Sequence, residues 1–220
     1  MPRRRAFCAG FNSLTAMEMD RRLEMRLREL FGVEPHFDLQ HCDALKFFRQ
    51  PDADWSEWKL ISNMPYSVAS PMLVDLAAMP NGPKRLVVTL QLEVAQRLCA
   101  VPATKEYSKL TLLVGCRYEA GEMFRISPHC FFPEPRVDSA CLTFHRRAKP
   151  LFDDTMYQPF KTVVKRAFSQ RRKMMRKNLK GGWPEDRIDA AMNAAGLDSK
   201  IRAEKVTLEQ FVELTQSLHD

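Results

Sequence analysis

Apolar positions alternate between two rhythms up to about residue 145 and keep one rhythm after it. Residues 13–19 (SLTAMEM) predict a short strand. Asp20 is placed to cap a helix over 21–31, where Leu23, Leu27, Leu30 and Phe31 fall at helical spacing before Gly32. Residues 37–41 (FDLQH) predict a second strand and 59–62 (KLIS) a third, which enters Asn63-Met64-Pro65-Tyr66. Ser70 followed by Pro71 predicts an N-cap with proline in the first helical turn, so a helix covers 71–79. Residues 85–90 (RLVVTL) predict a buried strand and the stretch near 91–100 a helix. Residues 108–126 mix both periods and stay unassigned, and 138–144 (DSACLTF) predict a last strand.

Beyond Lys149-Pro150 only helical spacing remains. It runs through 155–180 with a break near Ser169, through 184–195 between Pro184 and Gly196, and through 208–218. Thr207 and Gln210 fit a capping box at the start of that final helix. The expectation is an α/β domain over 1–148 with a mostly parallel sheet, followed by a small all-helical domain over 149–220. No internal repeat interrupts either part.

Composition narrows the partners. The chain has 220 residues, 45% hydrophobic and 28% charged, an ordinary globular mix. Its 34 Lys and Arg against 27 Asp and Glu give a net charge of +7. That balance favours nucleic acid or another anionic surface, with force only if the charge is clustered. It is clustered: residues 161–180 hold Lys161, Lys165, Arg166, Arg171, Arg172, Lys173, Arg176, Lys177 and Lys180 and no acid. Phe160, Val163, Val164, Ala167 and Phe168 supply an inward face, which leaves the cations for phosphates or for solvent. None of the six cysteines forms a C-x-x-C pair, so no zinc site or other metal is expected, and free thiols in a reducing cytoplasm fit best. No apolar run reaches the ~20 residues of a membrane span. Arg3, Arg4 and Arg5 are too short a stretch to favour a transit peptide.

Candidate chemistry gathers at strand ends, where open α/β sheets bind ligands. An exocyclic adenine amine is a poor nucleophile because its lone pair is delocalised into the ring. Two acceptors that take both amine hydrogens favour a pyramidal, nucleophilic nitrogen. The Asn63 side-chain oxygen and the Met64 carbonyl are placed to be those acceptors. Pro65 would stiffen the turn through its fixed φ. Tyr66 would stack on an extruded base for roughly 1–3 kcal/mol. An inert Asn-Pro-like turn is the alternative on the tetrapeptide alone. Glu18 closes the first strand, where nucleotide-binding folds place an acid on ribose hydroxyls. Asp43 follows the second strand in His41-Cys42-Asp43-Ala44-Leu45 and could accept a hydrogen bond from an adenine. Each acid, taken singly, is more often a helix cap or a solvated carboxylate than a ligand.

Several blocks in order carry a resemblance. LTAMEMD, CDAL, NMPYSVASPML, QLEVAQRLCAVPATKEYSKLTLL, FFPEPRVDSACLTF, AFSQRRKMMRKNL and RAEKVTLEQFVEL resemble the ribosomal RNA adenine dimethyltransferases over nearly the whole chain. That family includes small-subunit dimethyladenosine transferases and the erythromycin-resistance methyltransferases, and the terminal blocks are more similar to the former. The resemblance implies a Rossmann-like methyltransferase sheet, S-adenosyl-L-methionine as donor and two successive transfers to an adenine N6. It places Glu18 and Met19 at the cofactor ribose, Asp43 and Ala44 at its adenine ring, and Asn63 between cofactor and target. Phe131 would flank the flipped base opposite Tyr66, since a stacked amine cannot meet the donor in line. Lys165, Arg166, Arg171, Arg172, Lys173, Arg176 and Lys177 would meet the RNA. The implied partner is small-subunit ribosomal RNA in a pre-30S particle, met in the cytoplasm by a monomer.

One family feature has no counterpart here, a strand ending in a Gly-x-Gly-type loop that brings backbone amides to the cofactor. Residues 3–12 read as the tail of the helix that follows it, and Gly10 alone does not replace it. In the family's sheet that strand lies between those predicted at 13–19 and 59–62. Its loss would leave buried groups unpaired at about 1–3 kcal/mol each, against a net stability of roughly 5–15 kcal/mol. A natural chain starting further upstream is the favoured explanation, over a fragment or a degenerate relative. The 220 residues themselves are expected to bind the donor weakly. A non-catalytic RNA-binding or ribosome-assembly protein is the alternative function, and a DNA adenine methyltransferase a third.

Overall fold

The computed structural model describes residues 12–50 and 53–219, so Arg3–Arg5 and Gly10 lie outside the described residues. The chain forms two compact units that divide after Ala53.

In the first unit β1 (Leu14–Glu18), α1 (Arg21–Phe31), β2 (Phe37–His41) and α2 (Ala44–Phe48) follow one another. β1 and β2 pair in parallel from Leu14↔Phe37 to Glu18↔His41, joined through α1. Asp20 caps α1 by accepting the Arg22 amide at 2.8 Å and the Leu23 amide at 3.4 Å. The expected apolar face of α1 is rotated, however. Leu23 is 55% exposed, whereas Glu24 is buried. The cause is an i,i+4 pair: Arg28 reaches Glu24 at 2.6 Å and the Leu39 carbonyl at 3.4 Å, laying a charged pair over β2.

The second unit carries a four-stranded sheet in the order β3-β4-β6-β5: β3 (Lys59–Asn63), β4 (Arg85–Gln91), β5 (Tyr118–Ile126) and β6 (Ser139–Arg146). β3 and β4 are parallel across α3 (Ala69–Ala78). The two β6 pairings are antiparallel, which corrects the mostly parallel sheet predicted from the pattern. No crossover helix joins β5 to β6, so the chain can only return antiparallel. Among the described residues β1 pairs only with β2, and β3 only with β4.

β4 alternates between buried and more exposed positions, and its Leu86, Val88 and Leu90 are fully buried, as are Leu73 and Leu76 of α3 and Ala140 and Leu142 of β6. The helix after the Asn63 loop starts two residues earlier than Ser70-Pro71 predicts. Val68 and Ala69 donate to the Pro65 carbonyl at 3.0 and 3.1 Å, and Ser70 makes no cap. Pro71 sits in the first turn, where its missing N–H costs nothing. After α4 (Leu92–Leu98), the unassigned stretch resolves into α5 (Lys109–Gly115) and the exposed edge strand β5.

The helical part comprises α6 (Tyr157–Ala167), α7 (Met175–Leu179), α8 (Glu185–Ala194) and α9 (Leu208–His219). The predicted break near Ser169 is a loop from 168 to 174. Gly196 takes a φ of +64° just past α8, a conformation that glycine adopts without penalty. Both arms of the capping box form: Thr207 N–H to Gln210 at 3.1 Å and Gln210 N–H to Thr207 at 3.2 Å. The change of pattern near residue 148 falls inside the second unit rather than at its border. The helices are stitched to the sheet layer there. The Tyr157 hydroxyl donates to the Val74 carbonyl at 3.0 Å, and the buried Arg117 guanidinium meets Asp154 at 2.6 Å. No helix among the described residues is long and apolar enough to cross a membrane.

Candidate active site

The carboxyl ends of β3 and β4, the end of β5 and the start of β6 meet at one end of the four-stranded sheet. Asn63 is the last residue of β3 and pairs with Thr89. The chain then leaves the sheet through Met64, whose N–H donates to the Thr89 carbonyl at 3.0 Å. That bond and the two amides on the Pro65 carbonyl hold the loop from both sides. The Met64 side chain is buried and anchors the turn, while Asn63 is exposed. Among the described residues neither the Asn63 amide nor the Met64 carbonyl has a hydrogen-bond partner, so both acceptors remain available.

Tyr66 is half-buried, and its hydroxyl lies 2.6 Å from the Ser139 Oγ at the first position of β6. Residues 127–138 connect β5 to β6 over the same end of the sheet and carry Phe131 at partial exposure. The connection is braced at its base. Arg125 donates to Asp138 at 2.6 Å, the Leu92 N–H donates to the Asp138 carbonyl at 2.9 Å, and His129 meets Glu134 at 3.0 Å. The structure thus brings Asn63, Met64, Pro65, Tyr66 and Phe131 to one sheet end. Ser139 stands among them without having been singled out by sequence. A small polar residue opening a buried strand was the only available signal.

The first unit brings together the other predicted group. Glu18 and His41 are ladder partners, and the Cys42 N–H donates to the Glu18 carbonyl at 3.2 Å, so Asp43 follows at the neighbouring strand end. Glu18 Oε1 accepts the Met19 and Asp20 amides, both at 2.8 Å. Asp43 caps α2 by accepting the Leu45 amide at 2.8 Å, with Ala44 as the first helical residue. In each acid one oxygen serves the backbone and the other has no partner among the described residues. Those two acceptors fit the hydroxyls of a ribose diol and the N–H groups of an aromatic amine, the two polar faces of a nucleoside.

The basic segment divides by environment. Arg176 is engaged by Asp189 at 2.5 Å and Glu185 at 3.1 Å, and Lys180 by Glu185 at 2.6 Å. Those bonds hold both carboxyls below the ordinary range, Glu185 through Lys180 first and Asp189 through Arg176 first. Arg166 lies over Trp183 at 5.8 Å and against Gly181 and Gly182, where a side chain would collide with it. These cations are spent on holding α6, α7 and α8, which the sequence expectation for Arg166 and Arg176 did not anticipate. In the loop, Arg171 donates to the Lys105 carbonyl at 2.6 Å, while Arg172 and Lys173 are exposed with no acid beside them among the described residues. Lys165 and Lys177 are also exposed and unpaired in that sense.

The sequence profile of the ribosomal RNA adenine dimethylases matches residues 6–220. The chain belongs to that family. It is 34% identical over 213 residues to the ribosomal RNA small subunit methyltransferase A of Hydrogenovibrio crunogenus, covering 94% of this chain and 77% of that protein. The protein of the same name from Nitrosospira multiformis is 32% identical, with 92% and 75% covered. Among solved structures, the 23S rRNA methyltransferase ErmE superposes with a TM-score of 0.64 at 25% identity, covering 94% of this chain and 82% of that one. A dimethyladenosine transferase from Plasmodium falciparum shares the fold, with a TM-score of 0.73 at 17% identity over 92% and 80% of the two chains. Membership sets the reaction class: the chain is of the S-adenosylmethionine-dependent ribosomal RNA adenine methyltransferases.

Proposed function

We propose that this protein dimethylates the N6 amine of adenines in small-subunit ribosomal RNA, acting as a cytoplasmic monomer on a precursor of the small ribosomal particle. The observation that carries the reading is the pair of unspent acceptors, the Asn63 amide oxygen and the Met64 carbonyl, at the end of β3 beside Tyr66. Accepting both amine hydrogens, they localise the nitrogen lone pair. Tyr66 and Phe131 clamp the extruded ring between two π-faces. The proton leaves after the nitrogen has become cationic, so no strongly basic side chain is required.

S-adenosylmethionine, when bound, supplies an electrophilic methyl on a sulfonium. Glu18 and Met19 would hold its ribose, and Asp43 and Ala44 its adenine. The backbone bonds on Glu18 and Asp43 fix each carboxylate, which limits what is lost when a ligand binds. The RNA backbone would be met by the 149–220 domain, through Lys165, Arg171, Arg172, Lys173 and Lys177, with Arg166 and Arg176 contributing through the packing that presents them.

The test uses undermethylated small ribosomal subunits and labelled donor. Asn63→Ala is expected to lower methyl incorporation by about 10²- to 10³-fold, as for loss of one preorganised polar group in an active site. RNA affinity should stay within about twofold. The paired change Arg172→Ala, Lys173→Ala should do the opposite: weaker RNA binding and a salt slope reduced by about one per lost phosphate contact. Wild-type turnover in Asn63→Ala would refute the reading.

A further inference from the structure

The Tyr66 ring is held from outside its own loop. Its phenol oxygen lies 2.6 Å from the Ser139 Oγ, and Ser139 is fully buried. Ser139 itself cannot easily shift. It is the ladder partner of both Gln91 on β4 and Ile126 on β5, and its neighbour Asp138 accepts the Leu92 N–H and the Arg125 side chain. Tyr66, by contrast, sits on a connection of a few residues between β3 and α3, half exposed. One shared proton therefore ties a movable aromatic ring to the most constrained point at that end of the sheet.

We propose that Ser139 is a positioning residue for methyl transfer: its hydroxyl fixes the Tyr66 ring at the spacing from the 127–138 connection that the target adenine requires. This rests on the reading of Tyr66 as a base-stacking residue. The hydroxyl touches neither donor nor acceptor atoms. It restricts the ring to one orientation, and with it the in-line approach of an amine held against that ring. Misplacement by about 1 Å can cost a hundredfold in rate, so a single hydrogen bond that prevents it bears on turnover more than on binding. The same bond joins the catalytic loop to the segment bearing Phe131, so both walls of the base slot share one reference point.

The test is a cycle of Tyr66→Phe, Ser139→Ala and the double variant, scored on kcat and KM for undermethylated small subunits. Each single change is expected to lower kcat about five- to tenfold with KM within about twofold, and the double should be no worse than either. Additive losses, or wild-type kcat in Ser139→Ala, would overturn the proposal. Tyr66→Ala separates the two levels. If it turns over normally the stacking reading fails, whereas impaired Tyr66→Ala with unaffected Ser139→Ala sinks only the positioning role. A second measurement needs no turnover. The chain has 4 tyrosines, so 13C-tyrosine NMR of the full chain can follow the Tyr66 hydroxyl, assigned by its loss in Tyr66→Phe. Its proton should exchange slowly in the wild type and at least tenfold faster in Ser139→Ala. Exchange as fast as that of free tyrosine in the wild type would also overturn the proposal.

Discussion

Residues 14–48 and residues 59–146 both place a helix between two parallel strands, yet they bury that arrangement to different depths. All five residues of β1 are part-exposed, and among the described residues of the first unit Phe48, Leu39 and Glu24 are the buried side chains, one of them a charged group. In the second unit β4 and β6 alternate fully buried residues, α3 buries Leu73 and Leu76, and each of α6, α7, α8 and α9 adds its own. Local signals are just as good in the first unit: Asp20 caps α1 and Asp43 caps α2 by the same side-chain chemistry. Capping decides where a helix begins. Apolar area removed from water decides how firmly it is held, at about 25 cal/mol per Å². The acids proposed to hold the nucleoside thus sit on the thinly packed part, and the loop proposed to hold the base on the densely packed part.

The sharpest way to break this contrast is to truncate one leucine in each unit. All 3 tryptophans, Trp55, Trp58 and Trp183, belong to the second unit, so their fluorescence reports its unfolding. Leu142→Ala removes a fully buried side chain from β6 and should lower the stability followed by fluorescence in urea by about 3–5 kcal/mol. Leu39→Ala, on β2, should move that transition by less than about 1 kcal/mol and be seen mainly as lost secondary structure before it. Equal shifts from the two variants would mean that the units unfold as one.

Amide exchange tests the same contrast without substitution. The β4 and β6 amides lie in a ladder with partners on both sides, whereas β1 has one partner strand among the described residues. Protection in β4 and β6 should exceed that in β1 and β2 by about a hundredfold or more, roughly 2.7 kcal/mol of opening free energy. A donor analogue that binds Glu18 and Asp43 should narrow the gap from the β1 side, because ligand binding stabilises only the state it recognises.

Most of the fold was legible because its signals are local. The bounds of α1, the β2 strand, Gly196 and the Thr207–Gln210 box follow from capping and periodicity within a few residues. What was not legible depends on partners distant in sequence. The Glu24–Arg28 pair turned the α1 face, the Pro65 carbonyl started α3 ahead of Ser70, and the return of β6 between β4 and β5 made two of the three pairings in the larger sheet antiparallel. The site shows the same division. Asn63-Met64-Pro65-Tyr66 is one contiguous signal, whereas Ser139 becomes visible only when a contact spanning 73 residues is formed. In the basic run, sequence counts charges but cannot say which are spent, and only coordinates separate Arg176, on Asp189, from Arg172, exposed in the loop.

The smallest effect expected bears on those spent charges. Asp189 and Glu185 have carboxyl pKa values lowered by Arg176 and Lys180, so each binds its proton less readily when folded than when unfolded. The resulting stabilisation is fully present above the unfolded carboxylate pKa, near 4, and is lost as pH falls through the lower folded values. Both acids are exposed enough for solvent to screen most of the attraction, so the change is modest. Asp189→Asn should therefore lower Tm at pH 7, with the gap from wild type closing as the pH is taken below the ordinary carboxylate range. A gap that persists undiminished at low pH would mean that Asp189 acts through packing rather than charge. Raised salt separates the cations further: it should narrow the pH 7 gap only partly, because Arg176 contacts Asp189 through two directed hydrogen bonds, whereas binding of RNA phosphates by Arg172 and Lys173 should fall steeply.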